Sequence, residues 1–116
     1  MTITEAEEGR RECAIDLLEA CVTHMTESGW RNDCRIGDNG ERCIVNTLMF
    51  VSLRSPRFAF LNSVALNALE ETVRRDHACK CSQFQLDSIA HFNDRHCTDG
   101  EQAIDVFRSA IKELRG

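Results

Sequence analysis

A chain of 116 residues, 42% hydrophobic and 28% charged, has the composition of one folded domain with a single core, not of a disordered segment. One Pro and six Gly give too little turn chemistry for a many-stranded sandwich or barrel. The longest apolar stretch, Cys43 to Leu53, is broken by Asn46, Thr47 and Ser52, which excludes a membrane span. A net charge of −5 argues against a phosphate-tracking nucleic-acid binder, and the acidic first residues are not those of a secretory signal.

The first predicted element is a helix opened by the capping box Thr4-Glu5-Ala6-Glu7, with Cys13, Ala14, Leu17, Leu18, Cys21 and Met25 at helical spacing. Gly29 is placed to stop it near residue 28, and Trp30 then folds back onto the helix end. Residues 31–41 read as a polar loop in which Asp38-Asn39-Gly40 is a turn that can close a small hairpin. Arg42 to Leu53 mixes β-branched residues with a helical face at Cys43, Thr47 and Val51, and its length favours a buried helix.

Ser55-Pro56 reads as an N-cap and first helical residue, followed by a face of Leu61, Val64, Ala65, Ala68, Leu69 and Thr72 running to about Arg75. Asp76 to Cys81 is a polar connector. Ser82-Gln83-Phe84-Gln85 makes a second capping box ahead of Leu86, Ile89, Ala90 and Phe92. Thr98-Asp99-Gly100-Glu101 makes a third, ahead of Ala103, Ile104, Phe107, Ala110, Ile111 and Leu114. The expected fold is all-α, a compact bundle of about five helices forming one domain over residues 1–116, with Leu17, Leu18, Leu48, Leu69, Ile89, Phe107 and Ile111 buried together.

Several of these residues resemble a family of small bacterial and phage domains of unknown function, common in actinobacteria. The likeness rests on Leu17-Leu18, the Ser28-Gly29-Trp30 helix ending, Gly40-Glu41-Arg42-Cys43 and, above all, Ile89-Ala90-His91-Phe92-Asn93-Asp94 followed by Thr98 and a terminal amphipathic helix. Family members usually carry Trp where Phe92 stands and a small residue near Asn46. The resemblance implies the helical fold and a cytoplasmic setting, but no activity.

The charge is unevenly placed. Residues 1–30 hold seven acids against Arg10 and Arg11, and the remainder is balanced. Glu5, Glu8, Glu12, Asp16 and Glu19, spaced 3, 4, 4 and 3 apart, lie along one line of the first helix, opposite Ala14, Leu17 and Cys21. Like charges at these spacings cost about 0.2–0.5 kcal/mol per pair. The line is either a solvated face or a docking face for a basic protein partner.

Seven cysteines, an odd number without a secretory signal, read as reduced thiols of a cytoplasmic protein, with Cys13 and Cys21 in the helix seam. His77, Cys79 and Cys81, with His91, His96 and Cys97 further on, are the residue types zinc prefers, but Cys-x-Cys is not the spacing of paired zinc knuckles. His77, Cys79 and Cys81 are the ligands if a metal is bound; none is expected, and no cofactor. His96-Cys97 ahead of a helix could favour a thiolate, yet no oxyanion-hole, phosphate-loop or His-Glu-x-x-His motif accompanies them. Asn93-Asp94 and Trp30 read more readily as structural than as ligand-binding residues. The leading expectation is a non-enzymatic helical protein that binds another protein, one concrete form being a phage-related inhibitor or modulator of a host or defence protein. A zinc-stabilised binding module and a small thiol enzyme are the alternatives.

Overall fold

The computed structural model describes residues 3–33, 35–54, 58, 63–77 and 85–116. Helix α1, Ile3–Ser28, buries Ala14, Leu17, Leu18, Cys21 and Met25, the apolar line its spacing predicts. Cys13 is only half-buried, a correction to its expected place in the seam. At 100° per residue it stands about 90° from the centre of that line. The helix already includes Ile3, so Thr4 lies within its first turn and not at the cap. Its other end is where Gly29 was expected to act. With φ of 93°, Gly29 enters the left-handed region and donates its N–H to Met25 O at 2.8 Å. A side chain there would also meet Glu41 Cγ at 2.9 Å.

The described residues of the 31–43 loop make a turn and no strand. Gly40 N–H donates to Gly37 O and Gly37 N–H to Glu41 O, while Trp30 and Arg42 form an isolated bridge. Helix α2, Ile44–Ser52, settles the ambiguous segment as helical and buries Ile44, Thr47, Leu48 and Val51. Its N-cap is Cys43, whose sulfur accepts the Asn46 N–H at 3.2 Å.

Helix α3, Ser63–His77, buries Ala65, Ala68, Leu69, Thr72 and Val73. The Ser55-Pro56 start and Leu61 lie outside the described residues, as do Ser82, Gln83 and Phe84 of the second capping box. Helix α4, Gln85–His91, runs directly into a π-helical turn, Phe92–His96, closed by Cys97 N–H donating to Phe92 O at 2.8 Å. Helix α5, Gly100–Arg115, is capped by Asp99 and not by Thr98. Asp99 is extended and accepts the Gln102 N–H at 2.8 Å, while Gln102 reaches back to the N–H and hydroxyl of Thr98. Asp99 thus takes the cap role expected of Thr98, and the returning bond of Gln102 goes to the residue before the cap, so the motif is a variant of the capping box.

The five helices form an all-α bundle in which α1 packs against α5, α2 and α3, α3 against α5 and α4, and α2 against α4. The seven residues expected to share the core do so. Trp30 stands beside the start of α5 at Gly100, and Glu19 pairs with Arg115 at its end, so α1 and α5 run antiparallel.

Candidate functional site

The acidic line divides in two. Glu5, Glu8 and Glu12 are exposed, whereas Asp16 and Glu19 are half-buried and Glu19 forms an ion pair with Arg115 of α5. Every described side chain from Glu5 to Glu12 is exposed, and the first buried one on α1 is Ala14. The first turns of α1 therefore stand out from the described core as a charged helical arm. Arg10 and Arg11 stand off the acidic line, Arg10 nearly opposite it.

Beside the packed part of α1, a groove of about 510 Å3 runs between α1 and α5, lined by Glu19, Val22, Thr23, Arg108, Lys112 and Arg115. Arg108, Lys112 and Arg115 are all exposed and lie on one line of α5. The Arg108 guanidinium is 3.7 Å from Asp105.

A second groove, about 470 Å3, lies between α2 and α4. Its floor is Val45, Met49, Phe50 and Leu53, with Leu53 73% and Met49 43% exposed. The Arg42 guanidinium stacks on Phe50 at 3.9 Å from the ring centroid and donates to Asn46 Oδ1 at 2.7 Å. The Phe50 ring centroid is also 5.0 Å from that of His24. Burial, then the charges of Arg42 and Arg54, hold the His24 pKa below its ordinary value, against a smaller opposing effect of Glu27. Sequence reasoning missed this groove. The signal for it was that the residues of α2 outside its buried face include Val45, Met49 and Phe50 in place of charge.

Asn93 and Trp30, read as structural, meet directly. Asn93 is fully buried. Its Oδ1 accepts Trp30 Nε1–H at 2.7 Å and the Ile44 N–H at 2.9 Å, and its Nδ2 donates to Arg31 O and Asp94 Oδ1. One side chain of the π-turn thus holds the end of the α1 connection and the start of α2. Asp94 is exposed and lines the second groove.

Burial disfavours the thiolate at two of the described cysteines, Cys97 and Cys21. Burial pushes the Cys97 thiol up to about 11, and its Sγ lies 3.3 Å from Asp99 O. Burial raises Cys21 further still. His96, the sequence neighbour of Cys97, lies with its ring centroid 5.1 Å from that of His91. Cys34, Cys79 and Cys81 lie outside the described residues, as does the side chain of His77. Among the described residues, no three metal-binding side chains cluster. No helix among them is long and apolar enough to cross a membrane.

A family model described as a family of unknown function (DUF6197) matches residues 10–113. No curated protein and no solved structure matches the chain.

Proposed function

The chain belongs to the DUF6197 family, and within it we propose a non-enzymatic role: binding another protein through the acidic line of α1. The observation that carries this reading is the arm. Glu5, Glu8 and Glu12 occupy one exposed line of α1, where like charges stand three and four residues apart and repel one another. A partner with a basic surface would relieve that repulsion and be steered towards the arm by complementary charge. Asp16 and Glu19 extend the line into the bundle, with Glu19 already balanced by Arg115. The setting is cytoplasmic, and the resemblance to a family found in bacteria and phages, with its (Trp/Phe)-Asn-Asp and Thr98 pattern, favours a modulator or inhibitor of a host or defence protein.

The test is affinity capture from the native host, with the wild type and with Glu5, Glu8 and Glu12 replaced by Gln, at low and high salt. Glu19 is spared because its loss would break an ion pair within the fold. A basic protein retained by the wild type at low salt, and lost on substitution or in high salt, is the expected result. Equal capture by both proteins at both salt concentrations leaves the line as a solvated face.

A further inference from the structure

The arm carries a line of acids spaced three and then four residues apart, Glu5, Glu8 and Glu12. The exposed line on α5, taken from its C-terminal end, is Arg115, Lys112 and Arg108, spaced three and then four residues apart. Both lines span seven positions, about 10 Å of helix at 1.5 Å per residue. When two helices with these patterns lie antiparallel, Glu5 comes opposite Arg115, Glu8 opposite Lys112 and Glu12 opposite Arg108 in a single register. A parallel alignment reverses the order of the spacings and loses the match.

We infer that the basic groove between α1 and α5 is a docking site for the α1 arm of a second copy of this chain. The inference rests on the reading of the arm as a protein-binding element and names its partner. Three features support it. The cations remain available: Arg108 is 61% and Arg115 60% exposed despite their contacts with Asp105 and Glu19, and Lys112 is exposed too. The ion pair of Glu19 with Arg115 shows the same acidic line meeting the same basic line within one chain. The apolar side of α1, at Ala14, Leu17 and Cys21, faces its own bundle, so an arm laid acid-side down on a neighbour keeps its own core turned away from it.

An arm cannot reach its own groove, because the arm and the α1 wall of the groove are parts of one helix. The contact therefore joins two different surfaces. Once that arm is seated, the first copy still offers its arm and the second its groove, so association continues head to tail. Both faces carry charge, so the contact forms at low ionic strength and is lost as salt screens it.

The test is sedimentation equilibrium of the purified, untagged protein over a concentration series at low and high salt. The average mass should rise with concentration at low salt and return to that of the monomer at high salt. Two charge-reversed proteins locate the contact, Glu8→Lys/Glu12→Lys and Arg108→Glu/Lys112→Glu, the second leaving Arg115 with Glu19. Each alone should be monomeric, and an equimolar mixture should associate again, since each then offers the other a complementary face. On the unaltered protein, a carbodiimide should condense Glu8 with Lys112, and mixing isotope-labelled with unlabelled chains shows the link to be intermolecular. This last measurement does not depend on a variant folding. A protein monomeric at every concentration, or association unchanged in both reversed proteins, overturns the inference. Capture of a different basic protein that requires Glu5, Glu8 and Glu12 would then leave the broader reading of the arm standing.

Discussion

Asn93 shows how one amide can organise a small domain. It satisfies two donors and reaches two acceptors from a position with no solvent access. Replacing it with Ala leaves Trp30 Nε1–H and the Ile44 N–H without their acceptor, and each buried orphan donor costs about 1–3 kcal/mol. Asn93→Ala should therefore lower stability by about 2–5 kcal/mol in denaturant titration, far more than an ordinary polar truncation. His24 gives a pH dependence of determinate sign. Its pKa in the fold lies below the ordinary value, so as pH falls the unfolded chain takes up the proton first. Stability from this group is fully present above about pH 6.5 and declines as pH falls through and below that value. His24→Gln should flatten that part of the stability profile, measured by denaturant titration between about pH 5 and 8. The ion pairs of Asp33 with Arg31 and Arg35 hold its carboxyl well below the usual range, so its contribution is lost only in stronger acid.

The helices themselves were largely legible because burial follows a 3.6-residue period that the sequence carries openly. α5 shows it without interruption, and α1 does so from Ala14 onward. α2 was harder, since Ile44, Val45 and Val51 suit a strand equally well, and only the spacing of Thr47, Leu48 and Val51 identifies its buried face. Caps were less legible. Thr98 and Asp99 are both good cap residues, and only the backbone conformation decides between them. The arm holds a position that can be improved. Gly9 lies within the exposed part of α1 and a Cβ there would meet nothing within 4 Å. Gly9→Ala should add about 0.5–1 kcal/mol to local helix stability. Because the arm stands clear of the core, the gain should appear mainly as slower amide exchange in residues 5–12, with a smaller shift of global unfolding.

At the scale of the whole molecule, charge and packing are segregated. The bundle is closed by apolar contacts of α1 with α2, α3 and α5, while the fully exposed members of the acidic line, Glu5, Glu8 and Glu12, sit on the part of α1 that contributes least to that core. Substituting Gln for Glu5, Glu8 and Glu12 should leave the fold intact and raise thermal stability slightly, by relieving like-charge pairs worth about 0.2–0.5 kcal/mol each. A marked loss of stability, read by calorimetry, would show that these carboxylates support the bundle. The acidic line was visible in the sequence because it is local, with each member within a turn of the next. The basic line of α5 is just as local, yet its relation to the groove depends on how α1 packs against α5. The Asn93 cluster was not visible at all, because Trp30 and Ile44 are 63 and 49 positions away from it in the chain. A buried polar contact carries no periodicity from which it can be read.

The bond from the Ile44 amide to Asn93 also sets a clock. An amide in the first turn of a helix has no partner in its own helix and ordinarily exchanges its hydrogen with solvent almost as fast as an unfolded chain. Here that amide donates to a buried side chain on the π-turn, so α2 cannot release it by fraying alone. Its exchange waits until the 92–97 segment lifts away from α2. In a hydrogen-exchange experiment, Ile44 should be protected far beyond half-buried Glu41 and should share its opening rate with the Trp30 indole N–H, although the two lie in different segments. Coincident exchange of these two hydrogens would mark the connection after α1, the start of α2 and the π-turn as one unit that opens together, in a region where helix boundaries alone would suggest three.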